Sequence, residues 1–548
     1  MLANRQRCSF SCVYAEEHPL PNMPAMAAPT TNQGNILGGR EFPQVTWYKD
    51  PGLRKLYFLL STVILVSATN GFDGSMMNGL QTLSYWKNYF HPSNSELGLL
   101  NAIMSVGSIV AVPFSPFLSD WRGRKVAIMI GLFIMFVGVA LQSAAQNLGM
   151  FIGARFLIGF GISFAHGAAP LLVTELAHMQ HRAKITSIYN TTWYLGAIIA
   201  AWTTFGTLKI KSDWAWRTPS ILQAGPACIM ICFIWFVPES PRWLISADRH
   251  EEALAILAKY HANGNADDEL VRHEFIEIKE TIALEKEFNQ QKISVLWSTK
   301  GNRHRMFICL CAGLFSQWSG NSLVSYYIAL ILTQVGITKE VDQNLINGCL
   351  QIWNMLVAGT MAFMVDRFGR RPLFLTSTGG MLVCFIAWTI CSERRETTGN
   401  EAAGRAVVAM IYLYYTCYNL AWSGLLVGYT VEILPFQIRA KGLAVMFFFV
   451  NCALFFNNYV NPEAIDSIRW KYYIVYDCWL ALELAVVYFF FIETRYTPLE
   501  EIAKYFDGDD ARVGGEGATG HGKELLNALH DDGKLGDDKV TVEHVQKA

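Results

Sequence analysis

The stretch VDRFGRRPLFL at residues 365–375 repeats, in outline, the stretch SDWRGRKVAIM at residues 119–129. In each copy an aspartate is followed by a glycine and then by two basic residues, and apolar sequence lies on both sides. Charged residues are costly inside a bilayer and collect at the ends of membrane-spanning helices. Each copy is therefore expected to be a short loop between two spans, and the repetition predicts a chain of two similar halves.

The composition also indicates a membrane protein. Of 548 residues, 52% are hydrophobic and only 16% are charged, which is too apolar for a soluble protein of this length. The formal net charge of −1 gives no reason to expect binding to nucleic acid. The twelve cysteines have no repeated pair spacing, which favours packing roles over disulfides or metal ligands. We find no nucleotide loop, metal cluster or nucleophile with a base, so neither an enzyme nor a cofactor is predicted.

Apolar runs of about 20 residues predict membrane-spanning helices, because a helix satisfies its own backbone where lipid offers no hydrogen-bond partner. Twelve such runs occur, at about residues 56–78, 96–118, 125–144, 148–171, 186–206, 218–237, 306–333, 344–364, 373–391, 405–430, 443–461 and 471–492. The predicted fold is therefore an all-α integral membrane protein, with twelve transmembrane helices in two pseudo-symmetric six-helix bundles.

The spans define the predicted domains. Residues 51–244 and 303–495 would form the two bundles, and residues 245–302 between them have the apolar spacing of short amphipathic helices in a linker. Residues 1–50 and 496–548 show no such period and are predicted to be disordered or mostly disordered tails. Lys and Arg counted at the flanks of the tails and linker place both termini, and the two repeated loops, in the cytoplasm.

Further charged signals occur once in each half. Glu175 precedes Arg182 by seven positions, as Glu432 precedes Arg439, and PESPRWL at 238–244 has a counterpart in IETRYTPLEEI at 492–502. We interpret these groups as a cytoplasmic gate, whose ion pairs form across the seam between the halves when that side is shut. Alternatively, the basic residues only anchor the loops to lipid or set topology. The predicted gate residues are Asp120, Arg124, Glu175, Arg182, Glu239, Arg242, Asp366, Arg367, Arg370, Arg371, Glu432, Arg439 and Glu493.

With these motifs the chain resembles the sugar porter branch of the major facilitator superfamily over residues 50–505. Within that branch NGFDGSMMNG at 70–79, QWSGNSLVSYY at 317–327, WAWRTPSILQ at 214–223 and EILPFQIRAKG at 432–442 look most like the fungal lactose and cellodextrin permeases. The resemblance implies the major facilitator fold, with two bundles that rock about a central sugar site. It also implies a monomer in the plasma membrane, with sugar, protons and membrane lipid as its partners.

Polar residues in mid-span are the candidates for sugar binding, because amides bind hydroxyl groups and aromatic rings cover apolar sugar faces. By resemblance, Asn190 and Asn354 correspond to a span-5 glutamine and a sugar-contacting span-8 asparagine of the branch. The predicted substrate-binding residues are Asn190, Trp193, Gln317, Asn321, Ser322, Tyr326, Asn354, Asn419, Trp422 and Asn451. For each, the alternative is an interhelical hydrogen bond or a packing role.

The pocket is expected to be wide. Where hexose carriers of the branch have tryptophans in spans 10 and 11, this chain has Val427 and Cys452. Smaller side chains would suit a disaccharide better than glucose. This inference depends on the resemblance.

Asp73 in span 1 is the clearest ionisable residue within the membrane, and Arg155 in span 4 is its predicted partner. An aspartate beside an arginine can switch between a protonated and an ion-paired state, which would link proton binding to conformation. The predicted function is therefore alternating-access transport of a sugar, as proton-coupled uptake of a di- or oligosaccharide of the lactose or cellobiose type. The alternatives are an uncoupled hexose facilitator and a non-transporting sugar sensor.

Overall fold

The protein is described here by a computed structural model covering residues 36–37, 40–41, 45–289, 293–495 and 499–507. It divides into a unit of residues 1–46 and a unit of residues 47–548. The first contains two short antiparallel strands, β1 (Ile36–Leu37) and β2 (Arg40–Glu41). The second is helical. The tail positions 1–35 and 508–548, for which disorder is predicted, lie outside the described residues.

The first half begins at a capped helix, because the Asp50 side chain accepts a hydrogen bond from Leu53 N. A capping box of Ser93 and Glu96 starts the second span in the same way. The helices of this half are α1 (Pro51–Leu80), α2 (Ser84–Phe90), α3 (Asn94–Ala111), α4 (Phe114–Arg122), α5 (Arg124–Ser143), α6 (Leu148–Leu176), α7 (Arg182–Thr207), α8 (Trp214–Leu222) and α9 (Gly225–Phe233).

The linker and the second half are also helical. The linker contains α10 (Pro241–Ser246), α11 (His250–His261), α12 (Glu269–Asn289) and a 3-10 turn at Ile293–Trp297. The second half contains α13 (Lys300–Trp318), α14 (Asn321–Gln334), α15 (Glu340–Phe368), α16 (Arg370–Thr398), α17 (Glu401–Ala421), α18 (Leu426–Ile433), α19 (Phe436–Ile468) and α20 (Lys471–Phe490). A final helix, α21 (Leu499–Asp507), lies in the tail, and Asp507 accepts hydrogen bonds from Arg305 at 2.7 and 3.0 Å. This part of the tail therefore packs on the second half, and disorder of most of the tail stays a prediction.

Seven of the described helices are each long and apolar enough to cross a membrane, and α3 with α4, bent by 47°, makes an eighth candidate. The other four predicted spans are α7 and the pairs α8–α9, α13–α14 and α17–α18. The sequence of α7 is interrupted by Thr, Asn and Tyr residues, and each pair is broken by a few non-helical residues. With these four, the described helices make twelve crossings in two groups of six.

Glycine lets α1 and α7 approach closely within the first half. A Cβ added at Gly196 would overlap the carbonyl oxygen of Ala68, and one at Gly71 would overlap the carbonyl oxygen of Trp193. Small residues at such a crossing are typical of helix packing in membranes. This crossing holds Trp193 beside the middle of α1, where Asp73 lies.

The halves meet along α3 with α19, α7 with α15, and α1 with α14. We call the end that carries the two repeated loops (residues 119–129 and 365–375) and the linker the motif face. The opposite end, which carries α2 and the first turns of α3 and α15, is called the far face.

Candidate functional site

A buried ion pair lies between α1 and α6. Arg155 Nη1 is 3.4 Å from Asp73 Oδ1, and the two side chains are 1% and 0% exposed. Arg155 Nε also donates to Leu100 O at 2.8 Å, which holds the guanidinium from α3. Gln223 Nε2 donates to Asp73 Oδ1 at 2.5 Å. The structure thus brings together the two residues predicted as partners and adds a neutral donor that the sequence did not suggest.

A chain of hydrogen bonds joins the halves at mid-depth. Asn419 Nδ2 donates to Asn354 Oδ1 at 3.1 Å, and both residues are buried. Tyr194 of α7 donates its hydroxyl to Asn419 Oδ1 at 2.6 Å. Each amide oxygen has two lone pairs and each amide nitrogen two hydrogens, so a sugar can bind here beside these bonds or in place of one.

The break between α13 and α14 places polar groups close to this chain. Gly320 has φ +102°, a conformation that glycine adopts without the strain that other residues incur. Just after it, Asn321 Nδ2 donates to Tyr418 Oη at 3.1 Å, while Asn321 Oδ1 is buried without a partner among the described residues. Ser322 Oγ donates to the main-chain oxygen of Gln317 at 3.2 Å. The unpaired amide oxygen is a ready acceptor for a sugar hydroxyl.

Two aromatic side chains approach α1 beside Asp73. A Cβ placed on Gly74 would lie 3.5 Å from Trp193 Cζ2 and 4.0 Å from Tyr326 Oη. One ring comes from the first half and one from the second. Both can therefore contact a molecule bound between the halves.

The structure places three predicted substrate residues differently. Trp422 is 1% exposed, lies 4.9 Å from the Phe374 ring and donates Nε1 to Thr378 Oγ1 at 3.1 Å. It packs in the core of the second half, which is the packing role that the sequence leaves open as its alternative. Asn451 donates to Phe447 O at 2.9 Å, one turn back on its own helix. Asn190 is exposed on α7.

At the motif face, a loop glycine opens the N-terminus of α5 to a carboxylate. Gly123 has φ +98°, and a Cβ there would lie 2.5 Å from Glu239 Oε2. The backbone N–H groups of Arg124 and Lys125 donate to Oε1 and Oε2 of Glu239, both at 3.2 Å. A carboxylate in this position satisfies two unpaired helix N–H groups and complements the helix dipole. Burial nevertheless raises the pKa of Glu239, against the effect of these hydrogen bonds.

The second half repeats this geometry. Gly369 has φ +87°, and the N–H groups of Arg370 and Arg371 donate to Oε1 and Oε2 of Glu493 at 2.9 and 3.1 Å. The glutamate of IETRY therefore has the same contacts as the glutamate of PESPR. The sequence repeat corresponds to a structural repeat of helix capping.

The ion pairs of the motif face lie within each half. Arg124 pairs with Glu175 at 3.1 Å and with Asp120 at 3.3 Å, and Arg370 pairs with Glu432 at 2.8 Å. These described pairs lie within a half, and pairing across the seam when this side is shut stays a prediction. A glutamate at the end of a span reaches the loop arginine of its own half because the two lie on adjacent helices.

The remaining predicted gate residues have other contacts. Arg182 lies 3.9 Å from Glu274 of the linker, and Arg439 donates to Leu434 O at 3.2 Å. Arg371 donates to Tyr488 O at 2.7 Å. Three more complete the set: Arg367 is exposed, Arg242 lines a cavity with Arg182 and Glu274, and the side chain of Asp366 lies outside the described residues.

Hydrogen bonds between the halves, among the described residues, occur at the far face and at mid-depth. Asn344 donates to Thr82 Oγ1 and accepts from Thr204 Oγ1, the latter at 3.4 Å. Ser84 N donates to Glu340 Oε1 at 3.2 Å. Three further bonds complete this seal: Gln81 to Tyr326 O, Asn78 to Ser325 O and Ser95 to Glu463. The central site is therefore closed toward the far face.

Comparison with known protein families indicates a transporter, which is consistent with a polar site between two halves. Residues 59–506 match the family described as "Sugar (and other) transporter". The chain belongs to this transporter family. The predictions of a sugar-porter relationship and of a protein that is not an enzyme are thereby confirmed.

Two fungal relatives of the transporter illustrate its similarity. The high-affinity glucose transporter of Kluyveromyces lactis is 29% identical over 482 residues, which cover 83% of this chain and 86% of that protein. The MFS-type transporter oryC of Aspergillus oryzae is 29% identical over 426 residues, covering 76% and 78%. Relatives with substrate names are glucose and hexose transporters, so the closer resemblance to lactose and cellodextrin permeases receives no support from them.

Solved structures show the same fold. The inward-open xylose transporter XylE of E. coli superposes on the transporter with a TM-score of 0.69 at 21% identity, covering 82% of this chain and 100% of XylE. XylE bound to 6-bromo-6-deoxy-D-glucose, described as a proton:xylose symporter, gives a TM-score of 0.67. The predicted major facilitator fold is confirmed.

Sequence reasoning missed several polar residues of the transporter's site. Gln142 and Gln223 are fully buried, and Tyr194 forms the mid-depth bond to Asn419 between the halves. Asn457 Nδ2 donates to Gln317 O at 2.6 Å. A signal was available, because an amide within an apolar span is unusual wherever it occurs.

Proposed function

We propose that this transporter carries a hexose across the plasma membrane by alternating access, as a monomer with the motif face and both termini in the cytoplasm. The observation that supports this is the polar site between the halves. Among the described residues, hydrogen bonds between the halves seal this site at the far face and not at the motif face. Repeat-built transporters bind substrate near the bilayer midplane, between their repeats. In the proposed cycle the far-face seal opens to admit sugar from outside.

A monosaccharide fits better than a disaccharide. The relatives named after substrates are glucose and hexose transporters. Trp193 and Tyr326 also approach Gly74 from opposite halves, so aromatic side chains line the space beside α1. We therefore propose a monosaccharide in spite of the expected widening at Val427 and Cys452.

We also propose that Asp73 binds the coupling proton. Its Oδ1 accepts from Arg155 and Gln223, whereas Oδ2 is buried without a partner among the described residues. The carboxyl group therefore has an oxygen that is available for a proton. The uncoupled hexose facilitator is the second candidate, because the names of the fungal relatives mention glucose or hexose without protons.

Uptake in a yeast host lacking its own hexose carriers tests the substrate. We expect labelled glucose to enter, and unlabelled hexoses to compete where lactose and cellobiose do not. Trp193→Ala should raise the KM for hexose by about tenfold, since aromatic contacts contribute on the order of 1 kcal/mol or more. The matched control is Trp235→Ala, at a tryptophan that is 69% exposed in the turn after α9. Entry of lactose or cellobiose but no hexose would refute the hexose proposal.

A pH electrode separates coupling from facilitation. If Asp73 couples proton and sugar, adding hexose to cells in weakly buffered medium alkalinises the medium, and hexose accumulates against its gradient. Hexose uptake without either effect would establish the facilitator instead.

A further inference from the structure

Two buried glutamines extend from Asp73 into the first half. Gln223 Nε2 donates to Asp73 Oδ1 at 2.5 Å, and Gln142 Nε2 donates to Gln223 Oε1 at 3.1 Å. All three residues are 0% exposed. Gln223 lies in the break between α8 and α9, and Gln142 lies near the far-face end of α5. The hydrogen-bonded chain therefore links three spans of one half to the proposed proton site.

Both ends of this chain have an unused oxygen. Asp73 Oδ2 and Gln142 Oε1 are buried without hydrogen-bond partners among the described residues. In the observed arrangement each amide N–H₂ points toward Asp73, as an ionised carboxylate requires because it can only accept. The arrangement leaves an acceptor vacant at the end remote from the charge.

An amide has both a donor and an acceptor end, so the chain can be reversed. If both amides rotate by half a turn, a protonated Asp73 donates to Gln223 Oε1, and Gln223 Nε2 donates to Gln142 Oε1. The oxygen of Gln142 that is unpaired in one state is paired in the other. The two glutamines can therefore provide a hydrogen-bond partner for Asp73 both when it is ionised and when it is protonated.

The charged donor to Asp73 cannot reverse in this way. Arg155 presents only donors from α6, and it is also held by Leu100 O at 2.8 Å. Tyr326 approaches from α14 with its hydroxyl near Gly74, and a hydroxyl can both donate and accept. Of the two side chains that donate to Asp73 in the structure, Gln223 is the one whose bond can follow the protonation state.

We propose that Gln223 and Gln142 are positioning residues for the proton step, with hydrogen bonds that reverse direction when Asp73 gains or loses its proton. This inference rests on the proposed coupling through Asp73. In this step Asp73 takes up one proton from water or releases one to it, and no other covalent bond forms or breaks. Gln223 acts directly on the carboxyl group, and Gln142 acts through Gln223 by polarising its donor.

The test is the pH profile of hexose uptake by the full chain in proteoliposomes. Gln223→Met keeps the side-chain length but removes the donor that favours the ionised carboxylate. We expect the pH of half-maximal uptake to rise by about one unit, because a bond to a charged group is lost. Gln142→Met should give a smaller rise, and in the Gln223→Met background it should add nothing.

Gln343→Met is the matched control. Gln343 is a buried glutamine of α15 that donates to Ile337 O at 2.7 Å and forms no hydrogen bond with Asp73, Gln223 or Gln142 among the described residues. Its replacement can lower the yield of folded protein but should leave the pH midpoint unchanged.

The possible results distinguish failure of this inference from failure of the proposed proton coupling. Wild-type midpoints in both Gln223→Met and Gln142→Met would overturn the inference while leaving proton coupling intact. If Gln223→Met does not fold, an unchanged midpoint in Gln142→Met overturns it alone. Wild-type uptake that is independent of pH and does not alkalinise the medium would overturn coupling, and the inference with it.

Discussion

Asp73 shows how a single carboxyl group can be buried in a membrane and still function. It receives one charged donor, Arg155, and one neutral donor, Gln223, on the same oxygen. An unpaired buried carboxylate would be too costly, whereas a carboxylate with these two donors is stabilised but still able to accept a proton.

Asp73→Asn should abolish accumulation of hexose against its gradient while preserving exchange. Asparagine retains the size of aspartate and can still bond to Arg155 and Gln223, but it cannot carry a proton. Steady-state accumulation and counterflow in proteoliposomes measure the two properties separately. Asp466→Asn, at an exposed position near the end of α19, is the control and should accumulate hexose normally. Continued accumulation by Asp73→Asn would show that another group couples transport.

The loop glycines Gly123 and Gly369 have positive φ and lie against a glutamate, so a larger residue is disfavoured at either position. Gly369→Ala would add a Cβ 2.8 Å from Glu493 Oε2, at a residue with φ +87°. We expect a loss of about 1–3 kcal/mol of stability from backbone strain, together with weaker capping of α16. The thermal midpoint of detergent-solubilised protein measures this loss. Gly153→Ala is the control, since a Cβ there has no neighbour within 4 Å, and it should not lower the midpoint.

At the scale of helices, the linker is attached to the first half by a buried histidine. His261 Nδ1 lies 2.7 Å from Glu274 Oε2, and its Nε2 lies 3.1 Å from Leu176 O at the end of α6. An ionised carboxylate and a carbonyl both only accept, so the imidazole donates from both nitrogens and is charged. His178, whose ring centre is 5.3 Å away, stays neutral because burial and nearby charges lower its pKa to about 4.

Docking of the linker should therefore depend on pH. Burial lowers the pKa of His261, but the charge and hydrogen bond of Glu274 outweigh it and raise the pKa above 6.5. Burial raises the pKa of Glu274, but His261 outweighs this and lowers it below 4.5. The stabilisation from His261 is complete below pH 6.5 and is lost as pH rises through its raised pKa. That from Glu274 is complete above pH 4.5 and is lost as pH falls through its lowered pKa.

Hydrogen exchange of α11 and α12, corrected for intrinsic rates, measures this dependence. Protection should be greatest between pH 4.5 and 6.5 and should fall on the alkaline side. The groups facing the pair are Arg182 of α7, His178 and His181 of the preceding loop, and Tyr57 of α1. His261→Gln should remove the alkaline fall, and His273→Gln, at a partly exposed histidine 3.9 Å from Glu277, should retain it. A wild-type profile in His261→Gln would assign the dependence to another group.

The sequence predicts elements better than it predicts side-chain directions. Apolar length and loop charge are local properties, so the spans and the two-fold repeat could be derived from them. Trp422 was assigned to the site because it lies in mid-span, yet it faces the core. The rotation of a helix about its axis depends on its neighbours, and spacing in one nearly uniform apolar span does not determine it. Gln223 was missed for a related reason, since the break that positions it is a feature of tertiary packing.

The same limit applies to the ionic groups. Their recurrence in both halves was visible in the sequence, but their partners were not. Arg124 and Glu175 meet because α5 and α6 are adjacent within a half. Glu239 reaches the loop at Gly123 only after the five helices between them, α5 to α9, have folded back. Pairing across the seam when that side is shut stays a prediction, because proximity to one membrane face does not determine which residues meet.

At the scale of the molecule, closure is unequal at the two ends. Asn344 bonds to Thr82 and Thr204 of the other half, whereas Arg124 and Arg370 at the motif face bond within their own halves. The far-face bonds must break for that end to open, but the motif-face bonds can persist. The described pairs at the motif face therefore stabilise each half as a rigid body, and the balance between states depends on the far-face bonds.

Asn344→Ala should shift the transporter toward opening at the far face. It removes two bonds between halves, each contributing about 1 kcal/mol, so the ratio of open to closed protein should rise by about thirtyfold. Spin labels at exposed positions Asn88 of α2 and Asp342 of α15 report the separation of the halves at this end. The distance distribution should gain a longer component. The control Asn400→Ala removes a helix-capping bond to Ala402 N at the same face without crossing the seam, so it should leave the distribution unchanged. If the two variants give the same distribution, the far-face seal depends on helix packing of α3 with α19 and α7 with α15, and not on Asn344.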